Sequence, residues 1–219
     1  MSPDIALGVM YHGGRGVPQD YAQTLSWFRK SADRGNARAQ LNLGFMYYRG
    51  QGVPQDYAQA VSWFRKSADR GDADAQLALG ALYHGGQGVP QDYTQALSWY
   101  RKAADQGDAR AQFNLGFMYR RGQGVPQDYA QALSWLRKAA DQGEADAQLN
   151  LGFMYSHGQG VPQDFVQAHM WVNLAASRET DPERRSAAAK ARDALAAVMT
   201  GEQIARAQRL AREWKPKGQ

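Results

Sequence analysis

The chain has 219 residues, no cysteine and a formal net charge of +5, so disulfides and thiolate chemistry are excluded, which fits a reducing cytosol and an oxidising compartment equally. It has no run of ~18 apolar residues to span a membrane, and Met1-Ser2-Pro3-Asp4 lacks the basic-then-apolar order of a signal peptide. Residues 1–177 carry 16 Lys/Arg against 15 Asp/Glu and residues 178–219 carry 10 against 6; the high pI therefore belongs to the C-terminal segment, and no nucleic-acid partner is expected.

The pentapeptide Gly-Val-Pro-Gln-Asp begins at Gly16, Gly52, Gly88, Gly124 and Gly160, always 36 residues apart. A fixed interval of that length marks an array in which each unit stacks on its neighbours. The first unit is incomplete: Gly8 corresponds to Gly44, which places Met1 at the level of Ala37. Ser2 as cap and Pro3 in the first turn start a shortened helix. No earlier helix covers its outer side, so Ile5 and Val9 are expected to be partly exposed. The expectation adopted is that the natural chain continues upstream; the alternative is self-association through this end.

The second unit contains two helical patterns. The first runs from about Ala37 to Arg49, with Asn36 as N-cap; Asp72 and Asp108 repeat that role, and Glu144 is a poorer cap at the same place. Leu43, Gly44 and Tyr47 recur in each later unit and share one side of the helix. A glycine inside a helix costs ~1 kcal/mol relative to alanine, so its recurrence predicts a crossing helix that leaves no room for a side chain. Gly50 and Gly52 are expected to end this helix, and Pro54 bars its continuation. Asp56 to Gln59 reads as a capping box opening the next helix. The constancy of Pro-Gln-Asp thus needs no ligand. The second helix runs from about Tyr57 to Asp69 with Ala60, Trp63, Phe64, Ser67 and Ala68 on its apolar face. Trp27, Trp63, Trp99, Trp135 and Trp171 share one position in the unit and are each expected to bury most of the indole.

Ala39, Leu43, Gly44, Tyr47, Gly50 and Gly52, followed by Ala60, Trp63, Phe64, Ser67, Ala68 and Gly71, resemble the Sel1-like repeat, a relative of the tetratricopeptide repeat, over roughly residues 4–177. The resemblance implies an all-α, right-handed superhelical solenoid of antiparallel helix pairs, of bacterial type, acting as a scaffold or adaptor and not as a catalyst. One branch of that family joins each unit by a disulfide; this chain, without cysteine, lies outside it. A bacterial cytoplasmic or periplasmic location follows, with the compartment left open.

The C-terminal end departs from the period. Phe165 to Ser177 still reads as a second-type helix. Asp181-Pro182 starts another helix, to about Met199, and Thr200 to Gln203 reads as a capping box opening a last one, to about Trp214. Ile204, Ala207, Leu210, Ala211 and Trp214 form a stripe suited to sealing the final unit. The expected organisation is five repeats over 1–177, capping helices over 178–215 and a flexible tail over 216–219.

Chemistry is sparse. Ser26, Ser62, Ser98 and Ser134 repeat at one position, which suits packing or surface and not a single nucleophile. His12 and His84 lie two units apart, too far to share an ion, so no metal or cofactor is expected. What remains is the face that the first helix of each pair lines in this superfamily. Its variable positions are 38, 45, 48 and 49 with their equivalents one period on, joined by a ladder of Asn42, Asn114 and Asn150. Asparagine offers donor and acceptor to a peptide backbone, Arg120 and Arg121 suit a carboxylate, and Phe45, Phe117 and Phe153 offer apolar contact. The candidate groove residues are therefore Arg38, Asn42, Phe45, Arg49, Asn114, Phe117, Arg120, Arg121, Asn150 and Phe153. The competing interpretation is that the asparagines and phenylalanines pack between helices and the arginines are solvated. The expected function is a non-enzymatic scaffold for a peptide or extended protein segment; the alternatives are binding of a cell-envelope glycan and a purely structural spacer.

Overall fold

The computed structural model describes residues 3–217, so Ser2, expected as the first cap, lies outside the described residues, as do Gly218 and Gln219. Among the described residues there are twelve α-helices and no strand. Contacts divide the chain into two compact units, Met1–Gln106 and Gly107–Gln219, each described by itself. The first holds three helix pairs: α1 (Pro3–Gly13) with α2 (Tyr21–Asp33), α3 (Ala37–Arg49) with α4 (Tyr57–Ala68), and α5 (Ala73–Gly85) with α6 (Tyr93–Asp105). The second holds α7 (Ala109–Arg121) with α8 (Tyr129–Asp141), α9 (Ala145–His157) with α10 (Phe165–Arg178), then α11 (Pro182–Ala196) and α12 (Gly201–Glu213). The first helix of each pair is called A and the second B.

The pentapeptide is a junction in which each residue has a task. The A helix of the second repeat, α3, ends at Gly50, left-handed at φ 68°, whose backbone N–H donates to the Met46 carbonyl. Gly52, expected to share that work, has another role. A Cβ on it would stand 2.8 Å from the Tyr21 carbonyl oxygen of the preceding helix pair, and its φ of 72° also favours glycine. The Gln55 amide donates to the Tyr48 carbonyl at 2.8 Å, and its equivalents repeat the bond. The Asp56 carboxylate caps α4 by accepting from the Gln59 amide. The expected return bond from the Gln side chain is replaced: the Asp56 backbone N–H donates to the Tyr47 carbonyl instead, as do those of Asp20, Asp92, Asp128 and Asp164 to their equivalents. A full capping box forms at Thr200–Gln203, and Glu144 makes no side-chain cap.

The interior glycines sit where helices cross. A Cβ on Gly44 would lie 2.5 Å from the Phe64 ring, one on Gly80 2.5 Å from Tyr100, and one on Gly152 2.4 Å from Val172. In the first unit one core layer joins Phe28, Leu43, Met46 and Trp63, and the next joins Leu41, Phe64, Leu79, Leu82 and Trp99. In the second unit Leu136, Leu151, Met154 and Trp171 form a core on which Leu210 of α12 and Trp214 just after it pack, with Trp171 and Trp214 edge-to-face at 6.2 Å. Ile5, expected to be partly exposed, is buried at 3% against that first layer; Val9 is exposed. Trp27 is only half-buried, whereas Trp63, Trp99, Trp135 and Trp171 are buried; Trp63, Trp99 and Trp171 each share a core layer with residues of the preceding pair.

Adjacent pairs are also joined by polar staples. Arg65 of one B helix reaches the next pair, donating to the Tyr83 hydroxyl and lying 5.7 Å from the Trp99 ring. Arg29 repeats this on Tyr47 and Trp63, and Arg137 on Tyr155 and Trp171. Buried Gln40, Gln76 and Gln148 donate to the carbonyls of Ala32, Ala68 and Ala140 in the preceding B helices. No helix among the described residues is long and apolar enough to cross a membrane.

Candidate functional site

The A helices fix the candidate residues at every third or fourth position, so positions 38, 42, 45 and 49 follow one face of α3 and their equivalents follow α7 and α9. The ten residues fall into two groups, one in each compact unit. In the first, Arg38 is paired: its guanidinium donates to Asp74 of the next A helix at 2.8 Å. Asp146 repeats the arrangement with Arg184 of α11. Both pairs lie at the surface and contribute on the order of 0–1 kcal/mol, so this position sets register between neighbours more than it presents a free charge. Phe45 is half-buried, edge-to-face with Phe64 at 5.0 Å, with the exposed Arg49 guanidinium 5.2 Å from its ring. Asn42 is half-buried.

The second group is more open and more concentrated. Arg120 of α7 lies between two rings, 5.5 Å from Phe117 and 5.1 Å from Phe153 of α9. Arg121 covers Phe117 at 5.5 Å. Phe153 is 41% exposed, which makes it the most exposed aromatic named in this face, and it stacks on His157 with centroids 4.0 Å apart. Burial and the neighbouring Arg121 both lower the Arg120 pKa from its ordinary value; at neutral pH arginine stays charged regardless. Among the described residues neither guanidinium meets a carboxylate, in contrast to Arg38 and Arg184. The side-chain amide of Asn114 likewise has no partner among the described residues, whereas Asn150 donates to the Asp146 carbonyl of its own helix at 2.8 Å. The structure therefore brings Phe117, Arg120, Arg121 and Phe153 together, with His157 added. It assigns Asn150 and Arg38 to internal bonds.

Two equivalents of Arg120 in the first unit pack within their own pairs instead. Tyr48 meets Tyr57 at 5.3 Å and His84 meets Tyr93 at 5.2 Å, each on the B helix of its own pair. His157 was not among the candidates. The signal for it was present, since its position reads Arg49, Gly85, Arg121 and then His157. No group of three His, Asp or Glu side chains gathers as metal ligands among the described residues.

The family model described as Sel1 repeat matches residues 5–36, 37–72, 73–108, 109–144 and 145–179. A Sel1 repeat protein from Oxalobacter formigenes is 31% identical, with 97% of this chain and 87% of that one covered at a TM-score of 0.82. A protective antigen of uropathogenic Escherichia coli, c5321, displays the SLR fold and is 34% identical over 96% of this chain and 52% of its own, with a TM-score of 0.58. The Pseudomonas aeruginosa immunity protein PA5088 shares the fold at 20% identity and a TM-score of 0.53, over 90% of this chain and 84% of its own. No protein of curated function matches the sequence.

Proposed function

The chain belongs to the Sel1 repeat family, whose members are generally non-catalytic protein-interaction scaffolds, and from that premise we propose that it binds an extended protein segment along the A-helix face of its second unit. The observation that carries this reading is the cluster of Phe117, Arg120, Arg121 and Phe153: two guanidiniums without a carboxylate partner, Arg120 beside the 41% exposed Phe153 ring and Arg121 over Phe117. Guanidiniums form strong paired bonds with carboxylates, and aromatic and arginine side chains dominate interface energetics. Asn114, with a free amide one turn before Phe117, supplies a donor and an acceptor for the backbone of an extended chain. A segment with an acidic residue next to an apolar one matches this order.

Selection from a library of unstructured peptides tests the reading. Wild-type protein selects acidic-apolar segments, and Asn114→Ala with Arg121→Ala loses them at an unchanged unfolding midpoint. Equal binding by the double variant removes the groove assignment, and a positive glycan array without any peptide selected favours carbohydrate instead.

A further inference from the structure

We propose that the second unit carries an oxyanion-binding cleft between α10, α11 and α12, separate from the A-helix face. The repeat itself points to it. Position 169 is apolar in every earlier B helix, as Leu25, Val61, Leu97 and Leu133, and becomes His169 in the last. The stapling arginine of Arg29, Arg65, Arg101 and Arg137 becomes Asn173. Both changes face the same place. Two recesses of about 490 and 460 Å³ meet at Asn173 and Arg192, with Arg185 lining the first and His169 and Arg212 the second. That size suits a small ligand.

The floor is polar where the fold has no use for polarity. His169 is 2% exposed and its Nδ1 has no hydrogen-bond partner. Buried polar atoms are ordinarily satisfied, so an imidazole under an open cleft, in place of a leucine, is a group waiting for a partner. Burial and then the Arg192 charge lower the His169 pKa, with Asp193 opposing. The titratable and charged groups lining the two recesses are His169, Asp193, Arg185, Arg192 and Arg212. Asp193 is the only carboxylate among them, and it is taken by Arg192 at 2.7 and 2.9 Å. Among the described residues Arg185 and Arg212 pair with no acid. Solvated cations near a helix C-terminus explain Arg212 alone. They do not explain a buried histidine beneath it. Carboxylate and phosphate share the chemistry these groups recognise, and Ala196 with Ile204 gives the ligand an apolar wall.

The test follows the His169 imidazole by NMR in the full chain, its resonance assigned from its loss in His169→Gln. Inorganic phosphate and citrate are titrated separately at constant ionic strength. The proposal expects a saturable shift with at least one of them and a rise in the His169 titration midpoint, because a bound anion favours the charged imidazole; the stronger of the two identifies phosphate or carboxylate as the group bound. Arg212→Gln weakens the binding about tenfold, while Arg206→Gln, outside the cleft, leaves it unchanged; far-UV circular dichroism verifies that both variants fold. A shift that sodium chloride reproduces, one that never saturates, or one that survives Arg212→Gln overturns the cleft.

Discussion

Replacing Trp99 by alanine probes the stacking of one pair on the next. The indole is 5% exposed and lies in a layer with Phe64, Leu79 and Leu82. Losing a buried tryptophan costs about 3–5 kcal/mol, transfer and cavity together. The Lys102 ammonium 3.9 Å above the ring and Arg65 at 5.7 Å add about 0.5 kcal/mol each. The indole N–H is buried without a partner, so its removal returns about 1 kcal/mol of desolvation penalty. The last two contributions cancel, and the net is a loss of about 3–5 kcal/mol. Trp27 is an internal control: it has the same neighbour type, Lys30 at 4.9 Å, but is half-buried, so Trp27→Ala costs about half as much. Urea unfolding followed by circular dichroism measures both, with the slope monitored because repeat arrays lose two-state behaviour when one layer is weakened. Equal losses for Trp27→Ala and Trp99→Ala, or an unchanged midpoint for Trp99→Ala, refute the claim that Trp99 is held by the pair before it.

Other perturbations separate backbone from packing. Gly44→Ala gains about 1 kcal/mol of helix propensity but drives a methyl to 2.5 Å from the Phe64 ring, and overpacking of about 1–3 kcal/mol lowers the thermal midpoint. Gly201→Ala, with nothing within 4 Å of the new Cβ, raises it or leaves it alone. Glu144→Asp supplies the cap that Asp72 and Asp108 make and Glu144 does not, raising stability by about 0.5–1 kcal/mol. Burial, and then Asp146, raise the Glu144 pKa in the folded chain. The folded state then binds that proton more tightly than the unfolded state, so this residue's contribution to stability falls as pH rises from its unfolded to its folded value. Glu144→Gln flattens that part of the profile of thermal midpoint against pH.

The helices were legible because both signals that define them are local. The 3.6-residue periodicity set α3 over Ala37–Arg49, and Gly44 announced the crossing by its absence of a side chain. The pentapeptide was legible as a junction but not in its bonding, since Gln55 and the Asp56 amide reach back to carbonyls of the A helix across a turn whose path the sequence does not describe. The staples were hidden for a related reason. Arg65 meets Tyr83 and Trp99 only when neighbouring pairs are superposed in space, and in sequence it looks like any exposed cation of a B helix. The candidate face was legible as a set of variable positions. Which members are free depended on partners outside their own helix: Arg38 is held by Asp74, whereas Arg121 meets a ring and no acid.

The central claim is that constant positions fold the chain and the second unit's A-helix cluster binds. The most direct measurement titrates a selected acidic-apolar peptide into isotopically labelled protein and maps the perturbed backbone amides. The account predicts changes centred on α7 and α9 around Phe117, Arg121 and Phe153, absent in the Asn114→Ala, Arg121→Ala double variant. Perturbations confined to α8 and α10, or a double variant that binds as wild type does, contradict it.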